Sequence, residues 1–272
     1  MAETLISPGV LARENDSSFV SEGPIRNTAA IVGPTVKGPV EIPTVVTSYS
    51  EYENIFGTTL TSGSLVYSYF TSITAFNYFS NGGETLLVSR VANTATDYLP
   101  ASSSADIFGS GALNATNGIT FKTLGDGVIY NNAGTLDAEG AIDSGTSDNF
   151  RWEIANSSVA QGTFDLFIRR GNDNTDNKIV LESWTNLSLD PLASNFVSKV
   201  IGDMYENYNS SNNQIDVIGN YKTNSRYVYV ESITSTFLTP NYFDNNGTAK
   251  AVYADSIPVN ASGSFGAATG DL

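Results

Sequence analysis

Apolar and β-branched residues fall in short runs bounded by Gly or Pro over the first part of the chain. Ala29 to Gly33 and Pro43 to Thr47 are two such runs, and each predicts a short buried strand. Pro34-Thr35-Val36-Lys37-Gly38-Pro39 between them is a turn by composition. Ser50-Glu51-Tyr52-Glu53 has the form of a capping box opening a short helix, which Gly57 closes. Over 64–80 the residues Leu65, Tyr69, Ile73, Phe76 and Phe79 recur at helical spacing, and Asn81-Gly82-Gly83 offers residues that accept φ > 0 to end that helix. Its aromatic residues Tyr69, Phe70, Phe76, Tyr78 and Phe79 are expected in a core. Thr85-Leu86-Leu87-Val88-Ser89-Arg90-Val91 predicts a core strand.

The pattern changes at Thr94. Up to about Asn149 the chain is rich in Ser, Gly, Ala, Asn and Asp, with strand signals only at 119–122 and 128–130 around Gly125-Asp126-Gly127. This predicts a β-rich insertion, 94–149, facing outward. Core signals resume at Phe150-Arg151-Trp152-Glu153-Ile154, at the alternating Phe164, Leu166 and Ile168, and at 178–184. The loop 170–177 between the last two carries Asp173 and Asp176. It lacks the alternating oxygen ligands and distal Glu of a calcium loop, so a polar solvated turn is expected. A helix near 196–201 entered through Asp190 or Ser194 and closed by Gly202, and a strand at 226–231, complete the predicted core. Ala261-Ser262-Gly263-Ser264-Phe265-Gly266 has the composition of a linker, which suggests that the chain is a fragment of a longer protein.

At the other end stands a short apolar arm, Leu5, Ile6, Ser7, Pro8, Gly9 and Val10. Pro8 fixes its own φ, biases Ser7 to extended geometry and has no N–H, so the arm does not start a helix. On the residues alone, two readings stay open. The arm packs on its own domain, or it adds a strand to a sheet of another subunit.

Composition narrows the chemistry. The 272 residues include no Cys and no His, which removes disulfides, thiolate or imidazole metal sites, and every Ser-His-Asp or Cys-His arrangement. There are 13 basic and 28 acidic residues, net −15, with no Lys/Arg cluster, so nucleic acid is not an expected partner. No apolar run approaches the roughly 20 residues of a membrane span, and Met1 to Val10 lacks the basic start and apolar core of a signal peptide. A soluble chain without direct membrane insertion is expected. No phosphate loop occurs and no paired carboxylates stand out, so no enzyme, cofactor or metal is expected.

The arm and the order of motifs after it resemble the opening of contractile tail sheath proteins of myovirus-type tailed bacteriophages, matching their N-terminal and middle portion. The likeness lies in Ser7-Pro8-Gly9-Val10, in Ile31-Val32-Gly33-Pro34 with Gly38-Pro39, in Thr47-Ser48-Tyr49-Ser50-Glu51-Tyr52 with Phe56-Gly57, in Tyr78-Phe79-Ser80-Asn81-Gly82-Gly83, and in the strand ending Arg90-Val91. About seventy residues, 25–91, carry it coherently. The resemblance implies an α+β fold with a mixed β-sheet, a few packing helices and an extended N-terminal arm. It implies an arm, 1–24, donated to the C-terminal domain of a neighbouring subunit. The core is expected to be discontinuous, 25–93 with 150–250, and 251–272 to be a linker toward a further domain that the family carries.

The implied role is that of a structural subunit, in a virion tail sheath assembled in the host cytoplasm, that polymerises around the tail tube and contracts to drive it through the host envelope. Implied partners are identical subunits, the tube protein, and baseplate and terminator proteins. A sheath of a non-phage contractile injection system is the near alternative. From another class, a particle-surface adhesin or decoration domain would use aromatic residues in Asn/Gly-rich loops, such as Tyr130 and Tyr242, to contact glycans. Arg151, Arg169, Arg170, Lys178 and Lys199 are candidates for ion pairs with carboxylates of neighbouring copies, or exposed charges on solvated strand faces.

Overall fold

The computed structural model describes residues 28–62, 65–92, 103–130, 146–174, 176–209 and 211–266. The fold is α+β, with short strands gathered in several small sheets and few helices. The described residues form two hydrophobic cores, one within 28–92 and the other within 103–266.

The first module is built on strands β1 (Thr28–Gly33), β2 (Thr44–Val46) and, after a helical stretch, β5 (Thr85–Arg90). The sheet is mixed, with β5 in the middle, parallel to β1 and antiparallel to β2. Helix α1 (Tyr49–Phe56) begins two residues earlier than the capping-box pattern predicts. Ser48 accepts from the Glu51 N–H, and the Glu51 carboxylate reaches back to the Thr47 N–H and hydroxyl. Gly57, at φ 71, closes it as expected. Tyr52 and Phe56 project from α1 onto Val46, Leu86 and Val88.

The predicted helix over 64–80 divides. Residues 59–68 form a hairpin of β3 (Thr59–Ser62) and β4 (Leu65–Ser68), and α2 runs only from Phe70 to Ser80. With that start, the small residues Thr71, Ser72 and Ala75 face the core, while Phe70 is 85% exposed and Ile73 and Phe76 are also exposed. The expectation that the aromatic residues of this stretch lie in a core is therefore corrected for Phe70 and Phe76.

The second module packs two sheets face to face. One is antiparallel, in the order β10 (Val180–Ser188), β9 (Thr163–Arg170), β8 (Phe150–Ser158), β14 (Ala261–Ser264). The other has β7 (Asn117–Thr123) between β6 (Ser104–Phe108) and β13 (Val228–Ile233). Trp152, Ile154, Phe164, Leu166 and Ile168 from the first sheet share one core with Ile107, Ile119, Phe121 and Val230 from the second. Both edges are tied. Gly266 and Ser104 exchange backbone hydrogen bonds at one edge, and at the other the Glu182 carboxylate on β10 accepts from the Arg226 N–H and the Ser225 hydroxyl, just before β13. Helix α3 (Val197–Val200) covers part of this core, and β11 (Tyr205–Asn209) pairs with β12 (Gln214–Ile218) as a separate hairpin.

Two expectations about organisation change. Of the span 94–149 the described residues are 103–130 and 146–149, and their strands β6 and β7 belong to the core of the second module rather than to an outward insertion, because β7 is the central strand beside β13. Likewise 261–264 is not a linker but strand β14 on β8, and Phe265 after it is fully buried. Its small residues have a packing reason, since a Cβ on Gly263 would lie 2.9 Å from the Trp152 indole. The strand expected at 128–130 is a 3₁₀ turn, Val128–Tyr130.

Burial raises the phenol pKa of Tyr52, Tyr130 and Tyr229, with the neighbouring Tyr49, Asp148 and Glu231 respectively adding to it, and burial also raises that of Tyr242. A group whose pKa is raised by folding contributes stability below its unfolded value, about 10 for Tyr, and that contribution is lost as pH rises beyond it. Alkaline titration followed by phenolate absorbance is expected to show Tyr52, Tyr130, Tyr229 and Tyr242 ionising in a late step that coincides with loss of the circular dichroism signal. Ionisation of all tyrosines in one early wave would contradict this burial.

Candidate functional site

The charged groups that the sequence marks for contacts between copies are used within the chain. The loop between β9 and β10 folds over the outer side of its sheet, and Asp173 on it accepts from Arg151 Nη1 (2.9 Å), from Arg169 Nε and Nη2 (2.7 and 3.0 Å) and from the Ile179 N–H (2.9 Å). Arg151 and Arg169 are 1% and 2% exposed, and the Asp173 side chain is fully buried. Glu153 receives Arg169 Nη1 at 2.8 Å and Lys178 Nζ at 2.6 Å. Arg170 Nε reaches Asn172, and Lys199 caps the Pro191 and Ala193 carbonyls. Thus Arg151 and Arg169 are corrected from exposed partners of neighbouring copies to a buried ion cluster, and Asp173 from a solvated turn residue to its centre.

A shallow groove of about 280 Å³ borders this cluster, lined by Glu153, Arg169, Lys178, Asn260 and Ser262. Its charged groups already satisfy one another. Among the described residues no cluster of three His, Cys, Asp or Glu could hold a metal. Tyr130 and Tyr242 are both buried, with the Tyr242 hydroxyl donating to the Val159 carbonyl. The glycan-contacting role considered for these two rings is corrected, since neither ring face is open to a ligand.

Arg90 joins the two modules. It is 3% exposed and its Nη1 donates at 2.8 Å to the carbonyls of both Gly38 and Asp126, two residues that also exchange backbone hydrogen bonds with each other. Beside them Lys37 Nζ pairs with Asp148 at 2.9 Å and lies 5.6 Å from the Tyr130 ring centre. Gly127 permits the approach, because a Cβ there would sit 3.1 Å from the Val36 carbonyl oxygen. Burial lowers the pKa of Arg90 and raises that of the Asp126 carboxyl, and in each case the charge of the other opposes the shift only in part. The sequence shows these residues only as a terminal Arg, a Gly-Pro turn and a Gly-Asp-Gly turn. Their convergence required the fold.

Replacing Arg90 with Met is expected to cost about 1.5–3 kcal/mol, the scale of hydrogen bonds from a charged donor to buried acceptors. Calorimetry is expected to resolve the single transition into two, one per module. A variant that melts as one unit at the wild-type temperature would deny Arg90 this role.

Among the described residues, two apolar surfaces of the first module are exposed. On the sheet face away from α1 and α2 lie Ala30, Val32, Val45 and Leu87, with Val32 at 71% exposure. On the helix side lie Phe70, Ile73 and Phe76, next to the exposed Val66 and Tyr67 of the hairpin. The arm residues Leu5, Ile6, Ser7, Pro8, Gly9 and Val10 lie outside the described residues.

No protein-family description and no curated protein matches this chain in sequence. Among solved structures, it is similar to a sheath tail protein of Listeria innocua, at 11% identity and a TM-score of 0.42 over 91% of this chain and 35% of that one. It is also similar to a sheath tail protein of Desulfitobacterium hafniense, at 13% identity and a TM-score of 0.32 over 83% of this chain and 40% of the other. The chain spans less than half the length of either.

Proposed function

We propose that this chain is a structural subunit of a sheath-type tail assembly and, more finely, of the contractile sheath of a myovirus-type phage, built around a tail tube and working without catalysis. The observation that carries this reading is the folding of the sheath-like motif order, 28–91, into one module. In it Arg90, the terminal arginine of that order, holds the Gly-Pro turn, and two outer surfaces stay apolar. A polymerising subunit needs exposed apolar contact surface, which a monomeric soluble protein ordinarily limits. In a contracting lattice, modules of this kind move as rigid bodies between two arrangements while arms keep neighbours linked.

The arm, 1–24, is proposed to pair with a sheet of another copy. Negative-stain imaging of the purified chain tests the reading, with tubes or rings expected. Deleting the residues before Asn15 is expected to leave the melting curve in place and abolish tube formation. Absence of any ordered assembly by the intact chain would overturn the sheath role, and normal tubes from the deletion variant would overturn the linking role of the arm.

A further inference from the structure

Among the described residues, the β1–β5–β2 sheet has helices on one face only. All-parallel sheets are almost always covered on both faces, and β1 with β5 is the parallel part of this mixed sheet. Here the second face carries an apolar row running across all three strands, since Ala30 pairs with Leu87 and Leu87 with Val45. Val32 extends the row along β1, and the exposed Val91 lies just past the end of β5. On the opposite side of the same module, α2 is the kind of element that such a face receives. Thr71, Ser72 and Ala75 point inward, and Phe70, Ile73 and Phe76 form the outer stripe.

Charge identifies the occupant. No Asp, Glu, Lys or Arg occurs in 54–83, the stretch holding the hairpin and α2, and none occurs among the outward positions Thr28, Ala30, Val32, Val45, Thr85, Leu87 and Ser89. The whole chain carries −15, so two copies repel over most of their surfaces and meet without that penalty at these two. The same net charge disfavours an anionic membrane as the partner.

We propose that the outer stripe of α2 in one copy docks on the bare face of the β1–β5–β2 sheet in the next, supplying the missing helical layer. This rests on the proposed sheath-type role and specifies which surfaces join. The two surfaces differ and lie on opposite sides of the module, so the contact is heterologous and propagates from copy to copy instead of closing as a two-fold dimer.

The test uses two full-length variants, Leu87→Glu, which blocks the sheet face, and Phe70→Glu, which blocks the helix stripe. Both residues are exposed, so each variant is expected to melt like the wild type. In sedimentation each alone is expected to lose self-association by at least about a hundredfold, because an unpaired carboxylate would be desolvated. Mixed together, they are expected to form a one-to-one dimer, since one retains its stripe and the other its sheet face. Because the chain has no cysteine, mixed Leu87→Cys and Ile73→Cys chains give a second measure, with the mixed disulfide expected to exceed both homodimers. Glutamate variants that assemble like an associating wild type, or that stay monomeric when mixed, would overturn the contact and leave the sheath role standing. A wild-type chain that remains monomeric at all concentrations would overturn both.

Discussion

Replacing Asp173 with Ala is expected to destabilise the second module by about 3–5 kcal/mol, a large part of the 5–15 kcal/mol that holds a typical domain. Two guanidinium groups, both almost completely buried, converge on this one carboxylate, and both its oxygens accept two hydrogen bonds. Removing it leaves Arg151 with no carboxylate partner and Arg169 with only Glu153, which Lys178 already shares. Asp173→Asn is expected to cost nearly as much, because its amide would turn an N–H toward donors. The contrasting variant is Arg151→Met. Two nitrogens of Arg151 lack a hydrogen-bond partner, and Arg169 keeps its fork on Asp173 when Arg151 is gone. That variant is therefore expected to cost clearly less, in line with the rule that an apolar replacement of a buried charge is tolerated better than a stranded charge. Denaturant unfolding measures the order, and an Arg151→Met loss exceeding that of Asp173→Ala would refute the account.

Replacing Phe265 with Ala is expected to cost about 3–5 kcal/mol, as for a fully buried aromatic ring. The ring packs edge-on against Phe150, its N–H donates to the Phe150 carbonyl at 2.9 Å, and the next residue bridges to Ser104 on the facing sheet. The residue thus acts at the seam of the two sheets. Ending the chain at Asn260 would remove β14 as well and is expected to abolish the cooperative transition of the second module. Unchanged melting after either alteration would return 261–266 to the linker that its composition suggests.

These expectations rest on features of different legibility. Strands β1, β2, β5, β8, β9 and β13 stand out in the sequence because each needs a continuous or alternating apolar run, and that pattern is local. The helix end at Gly57 is equally local, since a residue at positive φ favours glycine there. The absence of His and Cys, the net charge of −15 and the sheath-like motif order are also properties of the sequence alone.

Tertiary structure decided the rest. Ala261–Ser264 is poor in apolar residues and becomes a strand because β8 offers an open edge to it, while the inward alternation of Ala105 and Ile107 in Ser104–Phe108 is too short to stand out in a Ser- and Gly-rich stretch and is fixed by pairing with β7. The helical spacing of Leu65 through Phe79 is real, but pairing of β4 with β3 takes its first turn and moves the start of α2 to Phe70, which turns the aromatic side outward. Arg151, Arg169 and Asp173 are charged residues on strands or a loop, which the sequence places in solvent. They are buried because the loop folds back and sets the Asp173 carboxylate between the two guanidinium groups, with Glu153 as the second carboxylate on Arg169. Burial of a charge depends on its partner, and the partner is a fact of three dimensions.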